Sequence, residues 1–513
     1  MKLNRAQEMA VTKSGKNILV SAGAGTGKTR VLVERFLHFV LTGEALVTEI
    51  LALTFTEKAA AEMKGRIYER FKERGLFQER RQLESAAIST LHSFAARILR
   101  EHPLEAAVAP DFRVIEAEEA DFMCEQAMES VFEEHCRKGT GIFDLIRVYG
   151  ENAVRAGVST IYREARHEGS TVAEFLAKAK KQDAPLSPVS LLLEAGESAL
   201  AEEWQRFEVL ENWDWPAVED YKLWIKGLTK RKSPWPEIKI RVKQFLAWKL
   251  DQMMPRWMDG MAALSTAFEA SYERAKQEKS VLDFDDLEIK AALLFRQKTE
   301  VSERIREVYQ TQYRHILVDE FQDTSPLQLE LIEALSKGDN LFLVGDYKQS
   351  IYAFRGAEPE LFHTKEKAYA EFEGGVKISL LENYRTVPDV LDWINRFFEN
   401  LWAEDGYAFE GLLPGVDAAA KPGEISILAV EAAKGEEKSH ARLREAEMIA
   451  ARICELNASG CPYGEMAVLF EAMTDAPLYE YALKKAGIPY FSVSSRGFYQ
   501  QAEVRDMMSL LSF

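Results

Sequence analysis

The chain has 513 residues, 47% of them apolar, which is more than one compact core accommodates and sets an expectation of two or three domains. Its charge balance, 65 Lys and Arg against 82 Asp and Glu for a net of -17, argues on average against a polyanion binder, though not against a local basic patch. No apolar run reaches the roughly 18 residues of a membrane span, no apolar segment follows Met1-Lys2-Leu3-Asn4-Arg5, and Cys124, Cys136, Cys454 and Cys461 show no C-x-x-C spacing, so the expectation is a cytoplasmic protein with free thiols and no membrane partner.

In chain order, Asn17 to Ser21 is an apolar run between Gly15 and a glycine cluster, the length of a buried parallel strand. From Lys28 to Leu37 the apolar positions recur at helical spacing. The connection between them, Ala22-Gly23-Ala24-Gly25-Thr26-Gly27-Lys28-Thr29, matches the phosphate-loop pattern G-x-x-x-x-G-K-[ST] with alanine in the first position. Glycines let a backbone curl closely around phosphate oxygens and point N–H groups at them from a helix N-terminus. Lys28 would bring charge to the β- and γ-phosphates of ATP and Thr29 an oxygen to Mg²⁺.

Ile50 to Thr54 repeats the strand signal, and an alanine-rich helix follows from about Glu57 to Phe71. Between about Pro103 and Val281 the chain turns to long Glu/Lys/Ala-rich helical stretches punctuated by Pro185, Pro188, Pro216, Pro234, Pro236 and Pro255, which reads as an inserted helical domain. Within it a basic run from Lys222 to Lys243 carries Trp224 and Trp235, and fits either a solvated helix face or a grip on duplex nucleic acid. Strands are expected at His315–Val318, Leu341–Val344 and Val376–Leu380, then a helix from Val387 to Trp402. After a Gly/Pro-bearing stretch, Glu424–Ala429 and Met466–Phe470 read as strands, with helices near Glu445–Leu456 and Pro477–Ala486. Val504 to Phe513 is periodic and helical with no cap or stop, so the chain is expected to end inside an element. Alternating strands and helices imply an α/β fold with a parallel sheet covered on both faces.

A phosphate loop needs an acidic partner on a neighbouring strand, and Ile316-Leu317-Val318-Asp319-Glu320 supplies an apolar strand ending in two carboxylates. Asp319 suits the Mg²⁺ shell and Glu320 the activation of a water. Asp319-Glu320-Phe321-Gln322-Asp323 then resembles the D-E-x-Q-D motif of superfamily 1 helicases of the UvrD/Rep type, and the rest of that family's motif set follows in order. Asn4-Arg5-Ala6-Gln7 resembles the adenine-reading glutamine motif, Thr54 to Ala60 motif Ia, and Ser89 to Phe94 motif Ib. Gly345 to Ala357 is similar to motif III and Glu382-Asn383-Tyr384-Arg385-Thr386 to motif IV. Sequence variants in the phosphate loop and motif III lean towards the AddA/RecB branch, the helicase-nucleases of break repair.

The resemblance implies a RecA-like ATP-binding domain at 1–102 and 281–403, an inserted helical subdomain at 103–280, and the start of a second α/β domain at 404–513. It also implies a 3′-to-5′ DNA helicase working on single-stranded DNA and a duplex junction, with ATP and Mg²⁺ as cofactors and a helicase-nuclease partner subunit. Gln349 would sense the γ-phosphate, Arg385 contact it, and Tyr384 stack on adenine, beside a base contact from Arg30, for which a solvated helix arginine is the other reading. Phe55, Thr56, His92, Tyr352, Phe354 and Arg355 would contact DNA, aromatic rings being suited to a motor that stacks on any base; for Phe55 alone, a core position is the other reading. The acids of Leu282-Asp283-Phe284-Asp285-Asp286-Leu287 read as a helix N-terminal cap cluster without a catalytic role. Motifs V and VI of the family do not occur up to Phe513, and a nuclease domain would follow them. The expectation is therefore an N-terminal part that binds nucleotide and DNA but turns over weakly by itself.

Overall fold

A computed structural model describes residues 3–138, 142–178, 204, 221, 241–242, 244–245, 255–353, 356–371, 374–404, 409–415, 423–431, 436–492 and 507. They form two compact units, Met1–Thr386 with Phe397–Ala419, and Val387–Arg396 with Ala420–Phe513.

The first unit opens with α1 (Arg5–Thr12), started by a reciprocal cap in which Asn4 Oδ1 accepts from the Gln7 backbone at 2.8 Å and Gln7 Oε1 accepts from the Asn4 backbone at 3.1 Å. Next come β1 (Asn17–Ala22), α2 (Lys28–Thr42), β2 (Ile50–Thr54), α3 (Glu57–Glu73), α4 (Phe77–Gln82), β3 (Ala87–Thr90), α5 (Leu91–Glu101) and a short β4 (Arg113–Val114). Helices α6 (Ala117–Lys138), α7 (Ile142–Tyr149), α8 (Glu151–His167), α9 (Val172–Lys178) and α10 (Pro255–Glu278) follow. The chain returns through β5 (Val281–Leu282), α11 (Phe284–Arg296), α12 (Glu300–Gln312), β6 (His315–Val318), α13 (Pro326–Leu335), β7 (Leu341–Gly345), α14 (Pro359–Glu371), β8 (Gly375–Leu380), β9 (Glu382–Asn383), α15 (Pro388–Glu404) and β10 (Leu413–Pro414).

Six strands make one sheet in the order β3-β2-β6-β7-β1-β8, every pairing parallel. Successive side chains of a strand face opposite sides, and the sheet separates them cleanly. Leu19, Leu51, Leu53, Ile316, Val318, Leu341 and Leu343 enter a core roofed by α5, α11, α12 and α13. Ile18, Val20, Ile50, Ala52, Leu317, Phe342 and Val344 enter the opposite core under α1, α2 and α3. Burial on both faces is why these strands read as unbroken apolar runs; each fully buried aliphatic side chain contributes about 1.5–3 kcal/mol. The edge strand β3 was not foreseen as a strand, because Ala87-Ile88-Ser89-Thr90 is four residues long and too polar to stand out.

The inserted helices have their own core of Met123, Val131, Phe132, Leu145, Val158, Leu264, Phe268 and Tyr272. They join the sheet-bearing part through the parallel β4–β5 pair and through a buried ionic cluster. Asp283 caps α11, its Oδ1 accepting from the Asp286 backbone at 2.8 Å, as the sequence suggested. The same carboxylates also take Arg166 of α8, 2.9 Å from each, and Lys276 of α10, 3.0 Å from Asp283 and 2.7 Å from Asp286. Lys276 is 1% exposed, so this is an ion cluster inside the protein rather than a solvated cap.

In the second unit, α16 (Lys438–Ala458) and α17 (Ala476–Lys485) pack through Ala446, Ala450, Tyr479, Ala482 and Ile488. The strands expected at 424–429 and 466–470 are absent: neither segment enters a ladder among the described residues, and Ile427 and Leu469 are 81% and 92% exposed. Alternating apolar residues suit a strand, but a strand forms only where a neighbour takes its N–H and C=O groups. The basic run 222–243 and the helix expected at 504–513 lie outside the described residues, but for Arg241, Val242 and Met507.

Candidate functional site

Parallel strands deliver their outgoing loops to one edge of the sheet, and every motif of the sequence begins at that carboxyl edge. The phosphate loop leaves β1, motif Ia leaves β2, motif Ib leaves β3, Asp319-Glu320 leave β6, motif III leaves β7 and motif IV follows β8.

The phosphate loop is set by glycine conformations. Gly25 and Gly27 have φ of +76° and +90°, a left-handed region that disfavours other residues, and Gly27 is the N-cap of α2. A Cβ on Gly25 would lie 2.8 Å from Arg385 Cβ and 2.9 Å from Asn383 Nδ2. Ala22 ends β1, Gly23 is buried, Ala24 is exposed, and the buried Thr26 hydroxyl donates to the Gly23 carbonyl at 2.8 Å. Lys28 and Thr29 occupy the first two positions of α2, where the helix dipole favours anions.

Three outside residues brace the loop. Gln7, 1% exposed, donates from Nε2 to the Thr26 carbonyl at 2.9 Å. Asn383 donates to the Ala24 carbonyl at 2.7 Å, while its Oδ1 accepts from the Arg385 and Thr386 backbones at 2.9 and 2.7 Å. The Tyr384 backbone donates to the Gly25 carbonyl at 2.9 Å. The Tyr384 phenol accepts from Asn4 at 3.1 Å and donates to Glu382 at 2.5 Å; burial and that carboxylate raise its pKa, against the pull of the nearby Arg30. Arg385 packs its Cβ on the loop and is exposed beyond it. Asn4 and Asn383, both inside quoted motifs, carried no assigned role in the sequence reading.

Across this edge Lys28 Nζ meets Glu320 Oε2 at 2.8 Å, although β7 lies between their strands in the sheet. Burial and the adjoining Glu320 carboxylate push the Asp319 carboxyl up to about 6, against the opposing effect of Lys28. Glu320 is held at φ +50°, a costly conformation for a residue with a side chain, and such strain collects at working sites. Gln322, 2% exposed, donates to Glu320 at 2.9 Å and accepts from the Asp346 backbone at 3.0 Å, joining the acidic pair to the start of motif III. Gly345 makes room for it, since a Cβ there would lie 2.5 Å from Gln322 Oε1. Sequence reading missed Gln322 as a link because only the fold brings β6 and β7 side by side. Gln349 donates to Asp346 at 2.7 Å, beside the strand that neighbours β1.

Among the described residues no group of three or more His, Cys, Asp or Glu could hold a metal. One hydroxyl from Thr29 and one carboxylate from Asp319 are nevertheless a fitting donor set for Mg²⁺, which keeps waters and completes its shell with substrate phosphates.

Farther along the edge the structure joins two residues that the sequence keeps far apart: the rings of Phe55 and Tyr352 lie 4.6 Å apart, tilted by 35°. Thr56 is exposed and caps α3, accepting from the Ala59 backbone at 3.1 Å. His92 lies 3.2 Å from Glu288, its side chain 38% exposed. Glu57 accepts from the hydroxyls of Thr90 and Ser93, each at 2.6 Å, and these two bonds hold its pKa below the usual glutamate value. Phe354 and Arg355 lie outside the described residues.

Residues 3–370 match the family described as UvrD/REP helicase N-terminal domain, and residues 378–513 the UvrD-like helicase C-terminal domain. Curated relatives include proteins named as ATP-dependent helicase/nuclease subunits from Listeria welshimeri, 30% identical, and from Bacillus pumilus and Geobacillus thermodenitrificans, each 31% identical. Each match covers 98% of this chain and 50% of the relative, so the chain spans about half the length of the curated relatives it matches. Those relatives fall in the branch towards which the motif variants lean.

Proposed function

Given that the chain belongs to the UvrD/REP helicase family, we infer that it carries the ATP-hydrolysing half of a DNA helicase that translocates 3′ to 5′ along single-stranded DNA in repair and recombination. The observation that carries this reading is the shared edge: phosphate loop, acidic pair and paired aromatic rings all emerge from the carboxyl ends of one parallel sheet.

In this reading residues 22–29 hold the triphosphate, with Gln7, Arg30 and Tyr384 about the base, and Thr29 and Asp319 hold Mg²⁺. Mg²⁺, when bound, neutralises the charge that develops between the β- and γ-phosphates. Lys28 adds a fixed cation there. Glu320, kept ionised by the 2.8 Å pair with Lys28, accepts the proton of the attacking water. Arg385 and Gln349 answer to the γ-phosphate, Arg385 as a permanent cation. The Gln322 bridge between Glu320 and Asp346 gives a contiguous path from the hydrolytic carboxylate to Tyr352 and Phe55. Those rings, with Thr56 and His92 and the undescribed Phe354 and Arg355, form the wall on which DNA stacks.

The domain division belongs to the same proposal: the motor at 1–102 and 281–403, the inserted subdomain at 103–280, and a second α/β domain from 404. A duplex junction as substrate, a nuclease elsewhere in the full protein and a partner subunit follow from the relatives' name. A cytoplasmic setting suits four free cysteines and the absence, among the described residues, of any helix long and apolar enough to cross a membrane. A second reading, a module that binds ATP and DNA with little turnover of its own, is favoured by relatives twice as long.

Lys28→Ala in the full-length protein tests the motor assignment. Hydrolysis should vanish while affinity for single-stranded DNA stays within about twofold, the substitution removing one phosphate-binding cation and no DNA contact. An active variant would remove the phosphate loop from the mechanism. Strand displacement from duplexes with a 3′ or a 5′ single-stranded tail tests polarity, and unwinding of the 5′-tailed substrate alone would reverse it.

A further inference from the structure

One buried carboxylate on the nucleic-acid edge has no part in the nucleotide site. Glu288 of α11 is 8% exposed, and burial raises its pKa against the opposing effects of His92 and Gln328. A carboxylate taken out of water is costly unless it is held by partners. Its Oε1 receives two: Gln328 Nε2 at 2.8 Å and His92 Nε2 at 3.2 Å. The Gln328 amide is oriented by its own cap, since its Oε1 accepts from the Ser325 backbone at 3.1 Å and so turns the NH₂ towards Glu288. Ser325 directly follows the Asp319-to-Thr324 motif.

The turn that bears His92 is held from its other side. Glu57, from motif Ia, takes the hydroxyls of Thr90 and Ser93, which fixes the turn but not the imidazole. The ring is then set by Glu288 on one nitrogen and by the edge of Phe284, with centroids 5.8 Å apart at 79°. Nδ1 is the ring's remaining polar atom.

We propose that Glu288 is a positioning residue for the DNA edge: braced by Gln328 from the helix after the acidic motif, it orients His92 towards the DNA backbone. This rests on the reading of His92 as a DNA contact. A carboxylate beside a phosphate-facing histidine would be a liability if the two acted separately. As a pair, the carboxylate favours the proton on the ring and fixes which nitrogen carries it.

The test measures, on the full 513-residue chain, the binding of a fluorescent oligo-dT by anisotropy and of a fluorescent ATP analogue with Mg²⁺. His92→Ala and Glu288→Gln should each weaken oligo-dT about fivefold, the loss of one charge-assisted contact, and leave the ATP analogue within about twofold. The double variant should be no weaker than His92→Ala alone, because Glu288 acts only through that ring. Glu288→Asp, which keeps the charge but withdraws it by one methylene, should give the same DNA-selective loss and carries the test if Glu288→Gln does not fold. Additive losses in the double variant, equal loss of both ligands, or no DNA-selective loss in either Glu288 variant overturns the proposal. A different result, His92→Ala and Tyr352→Ala both binding oligo-dT like the wild type, overturns the DNA edge itself and the Glu288 proposal with it.

Discussion

Gly25 shows how a single backbone torsion supports the candidate site. Its φ of +76° and the 2.8 Å approach of Arg385 Cβ leave no room for a side chain. Gly25→Ala should therefore lower affinity for Mg-ATP by at least tenfold and cost roughly 1–3 kcal/mol of stability, read by nucleotide binding and thermal melting. An alanine variant that binds nucleotide normally would show that the loop relaxes and that the glycine is incidental. At this scale the sequence was most legible: the phosphate loop, Asp319-Glu320 and Tyr384-Arg385 were singled out from residue types and spacing, because phosphate and metal chemistry admit few alternatives. Gln322, Asn383 and Glu288 were not, since an amide or acid declares its role only through the partner it meets. Gln322 finds Asp346 and Asn383 finds the Ala24 carbonyl, contacts between segments far apart in the chain.

At the scale of elements, the attachment of the inserted helices to α11 rests on Arg166 and Lys276 against Asp283 and Asp286, with Tyr272 donating to Asp283 at 3.1 Å. Removing one member leaves an uncompensated buried charge, so Lys276→Met should destabilise the protein by about 3–5 kcal/mol in urea unfolding. A change below about 1 kcal/mol would mean that water reaches the cluster. On the opposite side of the sheet, His315 at the start of β6 stacks on Phe39 with ring centroids 3.6 Å apart. Burial, then the charges of Arg35 and Arg314, pull its pKa down to about 4 from 6.5. The folded state thus binds fewer protons than the unfolded one between these values, so stability falls as pH drops from about 6.5 to about 4 and levels off below. After allowance for solvent reaching a third of the ring, the loss is about 1–2 kcal/mol. His315→Gln should flatten the melting temperature across that window; an unchanged slope would assign the acid sensitivity elsewhere.

For the whole molecule, the net charge of -17 sets how DNA binding responds to salt. Stacking on Phe55 and Tyr352 needs few phosphate neutralisations, so log affinity for oligo-dT should fall with log salt at a slope shallower than about -3. A slope nearer -8 would point to an extensive basic track instead. Composition made the polyanion reading look unfavourable, and it was the ordered motifs that overrode the average, because a site is decided by local charge.

The amino-acid sequence by itself determined the parallel α/β class, five of the six strands of the sheet, the helical insertion and the family, since apolar runs, helical periodicity and phosphate-loop chemistry are local properties. It also suggested strands at 424–429 and 466–470 that no ladder contains among the described residues, and it passed over β3. Only the tertiary structure decided the strand order, and through it which motifs meet: Lys28 with Glu320, Phe55 with Tyr352, His92 with Glu288. Side-chain spacing along a strand is local, but the neighbour across a ladder is chosen by chain topology, and no residue carries that choice alone.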